Sequence, residues 1–190
     1  MNRRHLLILC SIYALAPKVA AEVDVSGSVF TTVGQAKGID PLLLYSVALA
    51  ESAFHKKGFK TVKPWQFALR TRTRAYYGES YEDTVRELHR ILKTTDSVDI
   101  GLMQINFRWH AHRVHKPEDL LDIKTNVTVA ADILKERLIA NHGNWTHSLA
   151  QYHSFVPSRG AWYSAFVLGI YRQISNLSAT TCPKECFLTW

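Results

Sequence analysis

Cysteine is scarce in this chain, with only Cys10, Cys182 and Cys186 present. Cys182 and Cys186 lie in Cys-Pro-Lys-Glu-Cys, with no further cysteine nearby to complete a thiolate metal site. In an oxidising compartment they are candidates for a small disulfide loop that pins the C-terminal tail. No apolar run after the first 21 residues is long enough to span a bilayer. There is no internal repeat, no low-complexity segment and no basic block with interleaved aromatics. A nucleic-acid partner is therefore not indicated. His110, His112 and His115 have neither the His-Glu-x-x-His spacing nor an acid between them, so a solvated loop is expected there rather than a metal site. No metal and no cofactor is expected.

The first 21 residues have the pattern of an export signal. Met1 to His5 is basic, Leu6 to Ala16 is apolar apart from Cys10 and Ser11, and Val19-Ala20-Ala21 offers a cleavage site before Glu22. Bulky Leu9 before Cys10 argues against lipidation. Residues 22–190 are then expected to be exported, to the periplasm or beyond, with 22–178 forming one domain and 179–190 a tail. The whole chain has a formal charge of +7, but the leader holds Arg3, Arg4 and Lys18, leaving 20 basic residues against 16 acidic ones. An excess of that size is compatible with an anionic polymer such as a cell wall.

Periodicity predicts a helical domain. Val29, Val33 and Ala36 share one face of a helix within 26–38, closed by Gly38. Residues 60–78 read as irregular, with at most a short hairpin. Ser80 opens a surface helix carrying Tyr81, Val85, Leu88 and Leu92 on one side. Pro117 to Leu121 gives a helical turn, Asn126 is expected to cap a helix with Val127, Ala130, Ala131, Leu134 and Leu138 on one face and Gly143 closing it, and a short helix covers 145–152. After a loop at 155–160, a last helix is predicted over 161–177, with Tyr163, Val167, Ile170, Ile174 and Leu177 as its stripe and Gly169 permitting a close crossing.

The stretch Asp40 to Phe54 organises the rest. Asp40 reads as an N-cap and Pro41 as the first helical residue, where a missing N–H costs nothing. Leu42 to Ala50 is almost wholly apolar, so the helix is expected to be buried on all sides. Glu51 follows three residues after Ala48, four after Val47 and seven after Leu44, which places its carboxylate over the helix's own apolar face. Burial disfavours a charged carboxylate, and a carboxylic acid kept neutral near pH 7 is what a general acid requires. A solvated position at a frayed helix end is the alternative. Asp99 is the candidate for a second carboxylate, against a simpler role anchoring the turn that follows it.

Two further stretches set polar side chains without charge partners among apolar neighbours: Gly101-Leu102-Met103-Gln104 and Leu149-Ala150-Gln151-Tyr152-His153-Ser154. Brought together with Glu51, they would form a cleft suited to sugar hydroxyls and N-acetyl groups. Glu51-Ser52-Ala53-Phe54, Gly101-Leu102-Met103-Gln104, the Asn126-led helix and Ala150-Gln151-Tyr152, in that order, resemble the soluble, lysozyme-like lytic transglycosylases. The correspondence runs from about residue 39 to about residue 171. Two departures stand out. A loop and helix are inserted over residues 60–96, and His153 occupies the place where the family usually has asparagine. The insert, the Asp99 to Gln104 run and Tyr152-His153-Ser154 resemble a branch associated with conjugation and specialised secretion systems.

The resemblance implies a single-domain, lysozyme-like, all-α fold (α+β at most, with one small hairpin). It implies a monomer acting on peptidoglycan glycan strands, with a conjugation or secretion apparatus as a partner. Glu51 would protonate the oxygen joining N-acetylmuramic acid to N-acetylglucosamine, then take the proton of the sugar's C6 hydroxyl as it closes a 1,6-anhydro ring. Met103 and Gln104 would line the subsite beside the scissile bond, Tyr152 would orient Glu51 or steady developing charge, and Ser52 would touch the substrate or the backbone near Glu51. The competing readings are a muramidase that uses water, a wall-binding assembly component without turnover, and a DNA-binding helical protein.

Overall fold

The helices start where a side chain can satisfy the first backbone amides. In a computed structural model, which describes residues 25–54 and 62–181 (side chains to 176), Ser28 caps helix α1, Val29–Lys37. Asp40 Oδ1 accepts from the Leu42 amide at 2.8 Å and opens α2, Pro41–Ser52. Ser80 opens α3, Tyr81–Leu92, and Asn144 opens α6, Trp145–His153. Between these lie α4, Phe107–His110, and α5, Ile123–Ala140; α7, Pro157–Thr181, ends the described chain. Short 3₁₀ turns cover Ala111–Arg113 and Pro117–Leu121. The candidate leader, Lys56-Lys57-Gly58, Cys182 and Cys186 lie outside the described residues. Among the described residues no helix is long and apolar enough to cross a membrane.

Two boundaries and one helix crossing correct the sequence expectations. Asp122, not Asn126, caps α5: its Oδ1 accepts from the Thr125 amide at 2.8 Å. The last helix begins at Pro157 rather than 161, because proline fits the first turn, where no amide donor is needed. Gly169 has open space around it, whereas Gly160 marks the close crossing. A Cβ at Gly160 would come within 2.9 Å of the Ser154 carbonyl and 3.0 Å of the Ala150 methyl, so α6 and α7 meet there.

The helical reading holds, but the expected single hairpin is part of a larger sheet. Strands β3 (Ala68–Arg70), β4 (Ala75–Tyr77), β5 (Asp99–Ile100) and β6 (Ile105–Asn106) form an antiparallel sheet in the order β4-β3-β5-β6. Leu69 pairs with Tyr76 on one side and Ile100 on the other, and Ile100 pairs with Ile105. A separate pair joins β1, Ala53–Phe54, to β2, Lys63–Pro64. Strands of two or three residues are too short to display the alternation that reveals a strand in sequence.

Helix α2 runs through the middle of the core. Leu44, Val47 and Ala48 are fully buried. Its N-terminus is tied to α7, because the Tyr171 hydroxyl donates to Asp40 Oδ2 at 2.6 Å. At its other end the β1–β2 pair and the turn of residues 101–104 meet it.

That turn hangs on one buried side chain, Asn126, in the first turns of α5. Its Oδ1 accepts from the Met103 amide at 2.8 Å, while Nδ2 donates to the Ile100 carbonyl at 2.9 Å and the Leu120 carbonyl at 2.8 Å. Gly101, at φ +81°, leaves room for this: a Cβ there would lie 2.4 Å from Asn126 Nδ2 and 2.5 Å from the Leu120 carbonyl. Asn126→Ala leaves one amide and two carbonyls buried without this partner, so a loss of about 3–5 kcal/mol in unfolding free energy is expected at roughly 1–3 kcal/mol per orphaned group. Urea titration followed by circular dichroism measures it; a loss below about 1 kcal/mol would show that the clamp is replaceable.

Candidate active site

Glu51 lies in the last turn of α2, where the apolar helix reaches the surface. Its side chain is only 12% exposed. The position follows from the neighbouring residue. Ser52, 1% exposed, donates through Oγ to the Leu102 carbonyl at 2.7 Å and accepts from the Trp65 amide at 3.0 Å. The Trp65 amide also reaches the Ser52 carbonyl at 3.1 Å. Ser52 thus joins the end of α2 to the 101–104 turn and to the inserted segment. Of the two contacts expected of Ser52, substrate or the backbone near Glu51, the structure has the backbone ones: the side chain has no surface and its hydroxyl is already engaged.

Met103 is corrected in the same way. It is fully buried, so its thioether belongs to the core behind the turn. Gln104 remains partly exposed and adopts φ +50°, an uncommon conformation outside glycine. Its amide nitrogen donates to the Gly101 carbonyl at 2.8 Å and the Ala68 carbonyl at 3.3 Å, which leaves Oε1 as the atom it can present.

Tyr152, on α6, does not orient Glu51 as the sequence leads one to expect. Its hydroxyl instead donates to the Met103 carbonyl at 2.9 Å, and burial followed by the Glu51 and Asp99 charges pushes the phenol well above its usual range. The phenol that takes the position expected of Tyr152 belongs to Tyr163 of α7. Tyr163 is 2% exposed, and its hydroxyl is buried without a hydrogen-bond partner of normal geometry. It is nevertheless close enough to Glu51 for that carboxylate, after burial, to push it well above the ordinary tyrosine range. Sequence reasoning places Tyr163 in an apolar stripe. The available signal is its phenol: a tyrosine on a buried stripe needs a polar partner, and here Glu51 is the group within reach.

His153 completes the surround. Its ring lies flat on Tyr163, with centroids 4.3 Å apart and planes inclined by 4°, and its Nδ1 is 3.8 Å from Glu51 Oε1.

Asp99 lies on β5, within range of the Glu51 and His153 charges. Asn106, its cross-strand partner, donates from Nδ2 to Asp99 Oδ1 at 2.8 Å. Burial, opposed by that hydrogen bond and reinforced by the nearby Glu51 charge, pushes the Asp99 carboxyl up to about 6. The hydrogen bond from Asn106 gives Asp99 an anchoring role in the sheet, and its charge also interacts with that of Glu51.

An apolar helix that delivers one acid to the surface, beneath a small antiparallel sheet and against phenols from two later helices, is the lysozyme-like architecture. The chain belongs to the transglycosylase SLT domain family, whose model matches residues 28–156. That span includes Glu51, Asp99, the 101–104 turn, Asn126, Tyr152 and His153, and stops short of Tyr163. Neither the curated proteins nor the solved structures compared with the chain give a match.

The environment of Asp99 has a consequence for stability. Folded, its carboxyl keeps its proton to about pH 6, against an ordinary value of 3.8. Between those values the folded state binds the extra proton, so stability falls as pH rises through that window and stays lower above it. Asp99→Asn keeps an acceptor for Asn106 and removes the charge. It is expected to stabilise the fold by up to about 3 kcal/mol above pH ~6 and by little below pH ~4, since each tenfold difference in proton affinity is worth about 1.4 kcal/mol. Thermal unfolding at about pH 4 and about pH 7.5 tests this; an equal effect at both would place Asp99 in a solvated setting.

Proposed function

We propose that this protein is a peptidoglycan lytic transglycosylase that cleaves the bond from N-acetylmuramic acid to N-acetylglucosamine and leaves a 1,6-anhydromuramoyl end. The carrying observation is the placement of Glu51: a nearly buried carboxylic acid at the end of a rigid apolar helix, with Tyr163 and His153 packed around it. The family match to residues 28–156 supplies the substrate class.

In this reading Glu51 protonates the glycosidic oxygen as the bond to the anomeric carbon breaks. The resulting carboxylate takes the proton of the C6 hydroxyl while O6 closes on that carbon, so Glu51 ends the cycle protonated. The nucleophile belongs to the substrate and attacks at high effective concentration. Tyr163, whose hydroxyl lies within reach of Glu51, steadies the carboxylate formed between the two steps. Gln104 Oε1 offers an acceptor to sugar hydroxyls or an N-acetyl N–H. Ser52, Met103 and Tyr152 hold the turn and the helix end in register. No cofactor takes part. The chain acts as an exported monomer, opening the wall locally for a conjugation or secretion apparatus; export rests on the leader pattern and the apparatus on the resemblance of the insert.

Asp99 gives a second reading specific support. Retaining hydrolases place a second carboxyl group about 5 Å from the acid, and Asp99 lies close enough for its charge and that of Glu51 to interact. Water attack would then leave reducing ends.

Mass spectrometry of muropeptides released from purified sacculi by residues 22–190 separates these readings. Anhydromuramoyl ends are expected, with release falling by about 10³-fold in Glu51→Gln, within the range of a lost general acid. Reducing ends that disappear in both Glu51→Gln and Asp99→Asn would establish a hydrolase instead. Binding without release by either protein would indicate an assembly component.

A further inference from the structure

The exposures around Glu51 are layered. Tyr163 is 2% exposed, the Glu51 side chain 12%, and the His153 side chain 38%. His153 is the outermost of the three. Its ring covers one face of Tyr163 at 4.3 Å, and its Nδ1 edge approaches Glu51 Oε1 at 3.8 Å. A water standing in line between two polar atoms needs about 5.6 Å, twice a hydrogen-bond length of about 2.8 Å. The His153–Glu51 gap does not admit one.

The stack also limits where the ring can go. Two nearly parallel rings in contact keep their orientation with little further loss of freedom. An asparagine, as in the family pattern, offers no such ring. From this geometry, and resting on the transglycosylase reading above, we infer that His153 is a positioning residue that bars water from the Glu51 carboxylate and so biases the reaction towards the substrate's own hydroxyl.

The two outcomes share their first half. Glu51 gives its proton to the leaving oxygen as the bond from that oxygen to the anomeric carbon breaks. In the intramolecular outcome O6 bonds to the anomeric carbon and the O6 proton returns to Glu51. In the hydrolytic outcome a water oxygen bonds to that carbon and one water proton returns to Glu51. Both are balanced without a further reactant, so what differs is access. The C6 hydroxyl arrives with the bound sugar and needs no path from solvent. Water needs a path to the Glu51 carboxylate, and the more exposed His153 side chain occupies one approach to it, 3.8 Å from Oε1.

The test is the ratio of reducing to anhydromuramoyl ends, read by mass spectrometry with digestion in heavy-oxygen water so that hydrolytic ends carry the label. Three proteins are compared: wild type, His153→Ala and His153→Phe. Phenylalanine can keep the stack on Tyr163 without ring nitrogens, and alanine removes the cover. The wild type is expected to release anhydro ends almost alone. His153→Ala should raise the labelled fraction at least about tenfold, equivalent to about 1.4 kcal/mol between the competing barriers, and His153→Phe should keep the wild-type ratio. A merely structural role would lower release without moving the ratio. An unchanged ratio in His153→Ala, with anhydro ends retained, overturns this inference and leaves the transglycosylase reading standing. A ratio in His153→Phe that rises to match alanine also overturns it, since the cover would then not be the cause. A wild type that yields only labelled ends overturns both.

Discussion

The arrangement depends on the hydrogen bonds of one buried amide. Asn126 is fully enclosed, and in an apolar interior each of its polar atoms needs a partner. It finds them all on backbone: the Met103 amide, the Ile100 carbonyl and the Leu120 carbonyl. The first two dock the turn and the sheet onto α5, and the third ties in the 3₁₀ turn that precedes it. The same turn receives Ser52 through the Leu102 carbonyl and Tyr152 through the Met103 carbonyl. Helices α2, α5 and α6 are therefore joined through the backbone of residues 100–103. The turn is the hub, and its positive-φ residues, Gly101 and Gln104, allow it to present so many backbone groups outward.

This scaffolding explains how an acid can be kept at the end of an apolar helix. A nearly buried carboxyl is unfavourable when charged unless it has partners. Glu51 has no arginine or lysine bonded to it among the described residues; its neighbours are an imidazole, two phenols and a second carboxyl. A lysine in the same place would hold Glu51 ionised and remove its use as a donor.

The site is partly legible in the sequence, for identifiable reasons. Glu51 is readable because its neighbours at helical spacing are apolar and the acid interrupts them. The Gly101 to Gln104 run is readable as uncharged polar groups in an apolar setting. Met103 stands out in the sequence but suggests the wrong contact, and Ser52 leaves substrate and backbone both open, since sequence says that a polar or polarisable group is present and not which way it points. Asn126 reads as a cap, because asparagine at a helix start has that local explanation; two of its actual partners, Met103 and Ile100, are more than twenty residues away. Tyr163 is hidden in an apolar stripe, where a phenol looks like any aromatic filler.

The sequence alone determined most of the helices and their caps, the buried central segment and the identity of its terminal acid, because these depend on contacts between residues a few positions apart. The four-stranded sheet could not be read in the same way: its strands are two or three residues long and are defined by pairings such as Leu69 with Ile100. Only the tertiary structure decided what surrounds Glu51. Asp99, Tyr163 and His153 come from separate elements, and no local rule links them. Their meeting is fixed by long-range packing: the close passage of α6 and α7 at Gly160, the Tyr171–Asp40 tie, and the Asn126 clamp. The chemistry of a carboxylic acid is set by the groups within a few ångströms of it, and those neighbours are assembled by the fold.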